Sequence, residues 1–146
     1  IAGTISENDF VKQINRNTGI GVGDLMVRKP MLAKEHYQIR DLARMMYFGF
    51  SRMPIVKDSI LIGLVTPRDV LSYLYNNQKL SKLKEETAEV SSFMNKNPIY
   101  CQEGWDVYQA VQTMRSKSVS ALPVVQDEFG NLVGIITERD IVDAMV

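Results

Sequence analysis

Two heptapeptides, GLVTPRD at 63–69 and GIITERD at 134–140, place a glycine, a threonine and an aspartate at the same spacing. GTISEND at 3–9 repeats the pattern with Ser6 in the threonine's place. A hydroxyl followed three residues later by a carboxylate, just after an apolar run, is first of all a helix start. Thr66 with Asp69, or Thr137 with Asp140, can satisfy each other's backbone N–H groups as a variant of the capping box, and the carboxylate suits the positive end of the helix dipole. The same corner can also hold a ligand: the free N–H groups of a helix N-terminus suit an anion, and a carboxylate accepts from hydroxyls. Gly63 and Gly134, three residues ahead of each threonine, remove a side chain where another backbone or a ligand can approach. Arg68 and Arg139 add charge at the rim, although a solvated helix face is the commoner use of such a position.

The elements that must position these corners occur twice. VGDLMVRKP (22–30) aligns with VSSFMNKNP (90–98) at an offset of 68, Met26 falling on Met94 and Pro30 on Pro98. At the same offset Ile39, Leu42, Ala43 and Met46 map onto Val107, Ala110, Val111 and Met114, both sets having the i, i+3, i+4, i+7 spacing of a helix with one buried face. After a one-residue slip GFSRMPIV (49–56) aligns with SVSALPVV (118–125). Pro54–Val56 and Ile60–Val65 flank a short turn, and Pro123–Val125 and Leu132–Ile136 a longer one with Gly130 and Asn131, so each pair reads as a hairpin. Closing helices are expected from Thr66 and Thr137, with Val70, Leu71 and Leu74 on one apolar face and Ile141, Ala144 and Met145 on the other. Pro67 takes the first helical position, where its missing N–H is not needed.

Strand, helix, strand, strand, helix, given twice with the same glycine, threonine and aspartate, resembles the cystathionine β-synthase (CBS) domain family over residues 20–146. The resemblance implies an α/β fold of two CBS repeats packed as a pseudo-twofold pair, since units this small bury their sheets poorly alone. It divides the chain into repeat 1 at 20–76, a polar linker or helix extension at 77–89, and repeat 2 at 90–146. Residues 1–19 then read as the tail of a preceding CBS repeat, and the chain as the C-terminal pair of a longer multi-CBS protein.

Such pairs are ligand sensors for adenosine nucleotides of the AMP, ADP, ATP or S-adenosylmethionine class. On that resemblance Asp69 and Asp140 accept from ribose hydroxyls, and Thr66 and Thr137 cap their helices or donate to phosphate. Arg52, just ahead of Pro54, reaches phosphate. Ser51, Met53 and Pro54, with Ser120, Ala121, Leu122 and Pro123 in the second repeat, supply backbone groups for the base. The segments around Met26 and Met94 supply walls. Ala121 stands where the first repeat has Arg52, so the two sites are expected to be unequal; the alternative use of Arg52 is a surface ion pair.

Bulk properties narrow the rest. Seventeen Lys and Arg balance 17 Asp and Glu, so no overall field favours nucleic acid. No stretch is long and apolar enough to span a bilayer. One cysteine, Cys101, fits a reducing cytoplasm. His36 is the only histidine and has no ligand partners at metal spacing, Cys101 lacks a visible base, and no obligatory cofactor is implied. An enzyme is therefore not expected. The methionines read as core filler, Tyr47, Phe48 and Phe50 as core, and Trp105 as an interface residue. The partners expected are an adenosine nucleotide and a second copy or an upstream CBS pair bound through the helices. A ligand-free structural dimerisation module is the rival reading.

Overall fold

The computed structural model describes Ser6, Ile14, residues 16–47, Gly49, and residues 52–78 and 87–145. Ser51, Phe48 and Phe50, residues 79–86 of the linker, and all of GTISEND but Ser6 lie outside the described residues. In chain order the elements are α1 (Val22–Leu25), β1 (Val27–Arg28), β2 (Ala33–Lys34), α2 (Ile39–Tyr47), β3 (Met53–Lys57), β4 (Ile60–Val65), α3 (Pro67–Asn76) and a 3₁₀ turn at Val90–Ser92. There follow β5 (Cys101–Gln102), α4 (Val107–Lys117), β6 (Ala121–Val125), β7 (Leu132–Thr137) and α5 (Glu138–Met145). Strand, helix, strand, strand, helix thus occurs twice, as β2–α2–β3–β4–α3 and β5–α4–β6–β7–α5, in an α/β fold with two sheets.

Two compact units result. One comprises Met31–Pro98; the other joins Ile1–Pro30 to Ile99–Val146. In the 31–98 unit β2 runs parallel to β3, and β3 and β4 form the expected antiparallel hairpin. Asp58 and Ser59 form its two-residue turn at φ 51° and 69°, the pair of positive φ values that matches the twist of the flanking strands. Ile39, Leu42, Met53, Ile55 and Val65 are fully enclosed, packed with Leu74 and Val90.

In the other unit the sheet order is β1-β7-β6-β5. Val107, Ala110, Val111 and Met114 bury the predicted face of α4 against Leu122, Val124 and Ile136. Asp106 caps α4: its side chain accepts from Tyr108 N at 2.8 Å, while Gln109 Oε1 accepts from Asp106 N at 3.0 Å.

The lead-in segments are exchanged between the repeats. Residues 22–30 open the first repeat but pack in the unit of the second, where β1 pairs with β7 through Val27↔Ile135 and Arg28↔Gly134. Residues 90–98 open the second repeat and belong with the unit of the first, Asn95 bridging to Leu64 by two backbone hydrogen bonds of 2.9 and 3.0 Å.

The closing helices are narrower in their apolar contacts than expected. Val70, Leu74 and Ile141 are buried, but Leu71 is 59% and Met145 48% exposed, and Ala144 is exposed. On α3 the buried pair Val70 and Leu74 lies one turn apart and Leu71 is one residue round the helix from it; on α5 Ile141 alone is buried, and Met145 is the last residue of the helix. Trp105, expected at an interface, is half-buried: its ring packs on the core of the 99–146 unit, and its carbonyl accepts from Val22 N at 2.8 Å. Tyr47, expected in the core, is 85% exposed. The expected filler role fits Met26, Met53 and Met114, which are buried, whereas Met31 is exposed.

Candidate functional site

In the 31–98 unit Thr66 leaves β4 with extended backbone (φ −122°, ψ 165°) and becomes the N-cap of α3, with Pro67 next. Asp69 Oδ2 accepts from Thr66 N at 2.8 Å and from Thr66 Oγ1 at 3.1 Å, while Asp69 N donates to Thr66 Oγ1 at 3.3 Å. The capping reading of the motif is therefore correct, and it engages one carboxylate oxygen. Asp69 Oδ1 accepts no hydrogen bond among the described residues.

Arg52 is brought to this corner by register. Met53 pairs with Val65, so Arg52, immediately before β3, flanks Thr66, immediately after β4. It is half-buried, and among the described residues it makes no ion pair. Arg68 is exposed in the first turn of α3 and likewise unpaired among the described residues.

The 99–146 unit repeats the corner with different surroundings. Asp140 Oδ2 accepts from Thr137 N at 2.9 Å and Asp140 N donates to Thr137 Oγ1 at 3.1 Å. Ala121 lies directly opposite Thr137. Glu138 N donates to the Ser120 carbonyl at 2.9 Å, so that carbonyl already serves the helix start. Arg139 reaches back to Asp143, Nε to Oδ1, at 3.2 Å. An exposed i,i+4 pair of this kind contributes about 0.3–0.5 kcal/mol.

The two segments expected to serve the base change in detail. Met53 and Leu122 have no accessible surface, and Pro54, Ala121 and Pro123 are buried. Met53 and Leu122 pack in the cores of their units, and of the described members Arg52 and Ser120 are the ones that are not buried.

The motif glycines accept a backbone. A methyl built on Gly63 would lie 2.5 Å from Met94 Sδ and 3.0 Å from the Asn95 carbonyl oxygen; on Gly134 it would lie 2.7 Å from both Met26 Sδ and the Val27 carbonyl oxygen. Gly63 and Gly134 are thus where the exchanged lead-in segments press on the sheets, with the Met94 and Met26 sulfurs against them.

Two titratable groups are displaced. Burial pushes the Cys101 thiol up to about 12, leaving it protonated and a poor nucleophile at neutral pH. Asp106 is held down at about 2, chiefly by the Thr18 N–H and then by the Tyr108 N–H. Its oxygens also take the Thr18 hydroxyl at 3.0 Å and Gly19 N at 2.9 Å. Asp106 was not singled out in the sequence, although D-x-x-Q before Val107 and Ala110 is a capping signal. A shallow groove of about 580 Å³ at the start of α2, lined in part by His36, Gln38, Arg40 and Arg44, contains none of the motif residues. Among the described residues no helix is long and apolar enough to cross a membrane.

The CBS domain matches this chain at residues 22–76 and again at 90–146, and the chain belongs to that family as a tandem pair. Protein MJ1225 of Methanocaldococcus jannaschii is 30% identical over 94% of this chain, which spans about half (52%) of MJ1225. Its crystal structure superposes with a TM-score of 0.82 at 27% identity, covering 97% of this chain and 54% of that one. The CBS pair of protein MJ0100, solved with 5′-methylthioadenosine and S-adenosylmethionine, has a TM-score of 0.69 at 26% identity, covering 89% of this chain and 97% of that one. CBSX2 in complex with AMP has a TM-score of 0.72 at 27% identity, covering 87% and 96%.

Proposed function

We propose that this chain is a regulatory module that binds an adenosine nucleotide at the Thr66–Asp69 corner, and an adenosine ligand at the Thr137–Asp140 corner. The observation that carries the reading is the half-used carboxylate. Each aspartate caps its helix through one oxygen, and the other is left to accept from a hydroxyl at a helix N-terminus. Beside Asp69, Arg52 is an unpaired guanidinium at the position where a phosphate would be met. The adenosine ligands of MJ0100 and CBSX2 support the ligand class. The module has no catalytic role of its own and works in the cytoplasm, where a single buried thiol needs no partner.

Titration calorimetry with AMP, ADP, ATP and S-adenosylmethionine tests the proposal. A saturating ligand at about 100 times its dissociation constant raises stability by about 2.7 kcal/mol. Arg52→Ala removes a charge-assisted contact of about 1.5–3 kcal/mol, a tenfold or greater loss for AMP, with adenosine almost unaffected. Equal losses for AMP and adenosine would remove Arg52 from the phosphate site. No heat and no thermal shift with any ligand would favour the second reading, a ligand-free dimerisation module, for which the outward Leu71 and Tyr75, one turn apart on α3 and 59% and 72% exposed, are the supporting observation.

A further inference from the structure

Away from both threonine–aspartate corners, the groove at the start of α2 holds two cations that nothing neutralises. Arg40 and Arg44 line it one turn apart, both exposed, and neither side chain makes an ion pair or a hydrogen bond among the described residues. Asp41 also lines the groove, but its Oδ2 accepts from Gln38 N at 3.0 Å. Of the nearby acids, Glu35 pairs with Lys57 at 3.7 Å, and Glu89, bridged to Gln38 through the backbone, is not among the lining side chains. Tyr37 and Met45, packed against the core of the unit, give the groove an apolar floor, and His36 stands edge-on to Tyr37 at 5.5 Å.

Gln38, the residue before α2, adds an unused acceptor. Its Oε1 is buried and accepts no hydrogen bond among the described residues, a costly state for a polar atom. The second repeat shows what this position receives. There, 68 residues on, Asp106 accepts from the backbone N–H groups of Thr18 and Gly19 at 3.0 and 2.9 Å. The counterparts of Arg40 and Arg44 are Tyr108 and Gln112, neutral and joined to each other, Nε2 to the hydroxyl, at 2.7 Å. In the first repeat the strap is repeated as far as Ile39 N to Ala88 O at 3.0 Å and Val90 N to Tyr37 O at 2.8 Å, yet Gln38 Oε1 receives no donor.

We infer that this groove is a docking site for an extended acidic segment of a partner protein. Arg40 and Arg44 lie about 6 Å apart along the helix axis, close to the roughly 6.6 Å between alternate residues of an extended chain. Carboxylates at alternate positions can therefore each meet one guanidinium, while a backbone N–H between them supplies the donor that Gln38 lacks; its amide turns about a broad terminal torsion to reach it. A bare polyphosphate matches the charge but carries no such donor. A small metabolite fits poorly for another reason, since such ligands are mostly enclosed by their pockets and this groove is shallow with both arginines exposed.

The test is fluorescence anisotropy on the whole chain, without nucleotide, using a labelled peptide of alternating glutamate and serine, the same residues arranged in two blocks, and tripolyphosphate as competitor. The parent should bind the alternating peptide saturably and severalfold more tightly than the block peptide. Arg40→Tyr with Arg44→Gln installs the neutral pair of the second repeat on an exposed face and should weaken the alternating peptide about tenfold or more. Should that exchange disturb the circular dichroism, Arg44→Gln alone should still weaken it severalfold. Gln38→Met, which keeps the length but removes the acceptor, should weaken the peptide severalfold and leave tripolyphosphate unmoved. Binding that the arginine variants leave unchanged would overturn the inference, as would equal affinity for the two peptides. Tripolyphosphate displacing the peptide with equal affinity would make the groove a bare anion site and overturn the peptide reading. No binding by the parent, the outcome if this chain's own linker fills the groove, would overturn it as well; none of these results bears on the nucleotide corners.

Discussion

Replacing Gly134 by alanine tests how the second corner is built. The added methyl would sit 2.7 Å from the Val27 carbonyl oxygen, where ordinary contact begins at 3.4 Å, so β1 and β7 would have to part by about 0.7 Å at a pair that is in register, Arg28↔Gly134. The Met26 sulfur, also 2.7 Å away, ends a flexible side chain and can move; the carbonyl belongs to a paired strand and cannot move alone. Overpacking of this kind costs about 1–3 kcal/mol, and for a chain of this size each kcal/mol lowers Tm by about 2–4 °C. Gly63→Ala should cost less, since its closest contact is the Met94 sulfur and the Asn95 carbonyl stands farther off, at 3.0 Å.

Thermal and urea unfolding of the parent, Gly134→Ala, Gly63→Ala and Gly104→Ala measures this order. Gly104 is the control: it has open space within 4 Å and no positive φ, so alanine there should be neutral or raise stability by up to about 1 kcal/mol. Gly134→Ala should remain destabilising in a Met26→Ala background, because the carbonyl contact persists. A Gly134→Ala protein as stable as the Gly104→Ala protein would refute the account in which the lead-in backbone, rather than strand conformation or a ligand, requires glycine.

Two further expectations concern the titratable groups. Asp106, held at about 2 against an ordinary 3.8, contributes stability that is fully present above the ordinary value and lost as pH falls toward 2; Asp106→Ala should therefore flatten the fall in Tm between about pH 4 and pH 2, and parallel curves would exclude this carboxylate as the acid-sensitive group. Cys101, buried and pushed up to about 12, should resist thiol reagents at pH 8 until the protein unfolds, and labelling in native buffer at the rate seen in urea would contradict its burial.

The secondary structure was legible because each repeat states it twice over. Val107, Ala110, Val111 and Met114 are spaced for one buried face and are all buried, and the threonine and aspartate of each motif cap a helix as their spacing requires. What the spacing left open was what Gly63 and Gly134 make room for, since a backbone and a ligand ask the same thing of a glycine. The exchange of lead-in segments was illegible for a related reason. β1 is two residues long with both side chains exposed, so it carries no alternation from which a partner sheet could be read. Leu71 was misplaced because it lies one residue round the helix from the buried Val70–Leu74 line, and Met145 because it falls at the last residue of its helix.

These features combine into one physical arrangement. The strand that ends in each threonine–aspartate corner also carries the glycine against which a lead-in segment is pressed, and that segment continues directly into the other unit: residues 22–30 run into Met31–Pro98, and residues 90–98 run into the unit containing Ile99–Val146. Both crossings fall at a proline, Pro30 and Pro98, whose fixed φ shortens the range over which a displacement can be absorbed. On the proposed reading, a ligand that draws in Asp140 acts on β7, and β7 holds β1 at Gly134, a few residues from β2 of the first repeat. The second circuit runs from Asp69 through β4 and Asn95 toward β5.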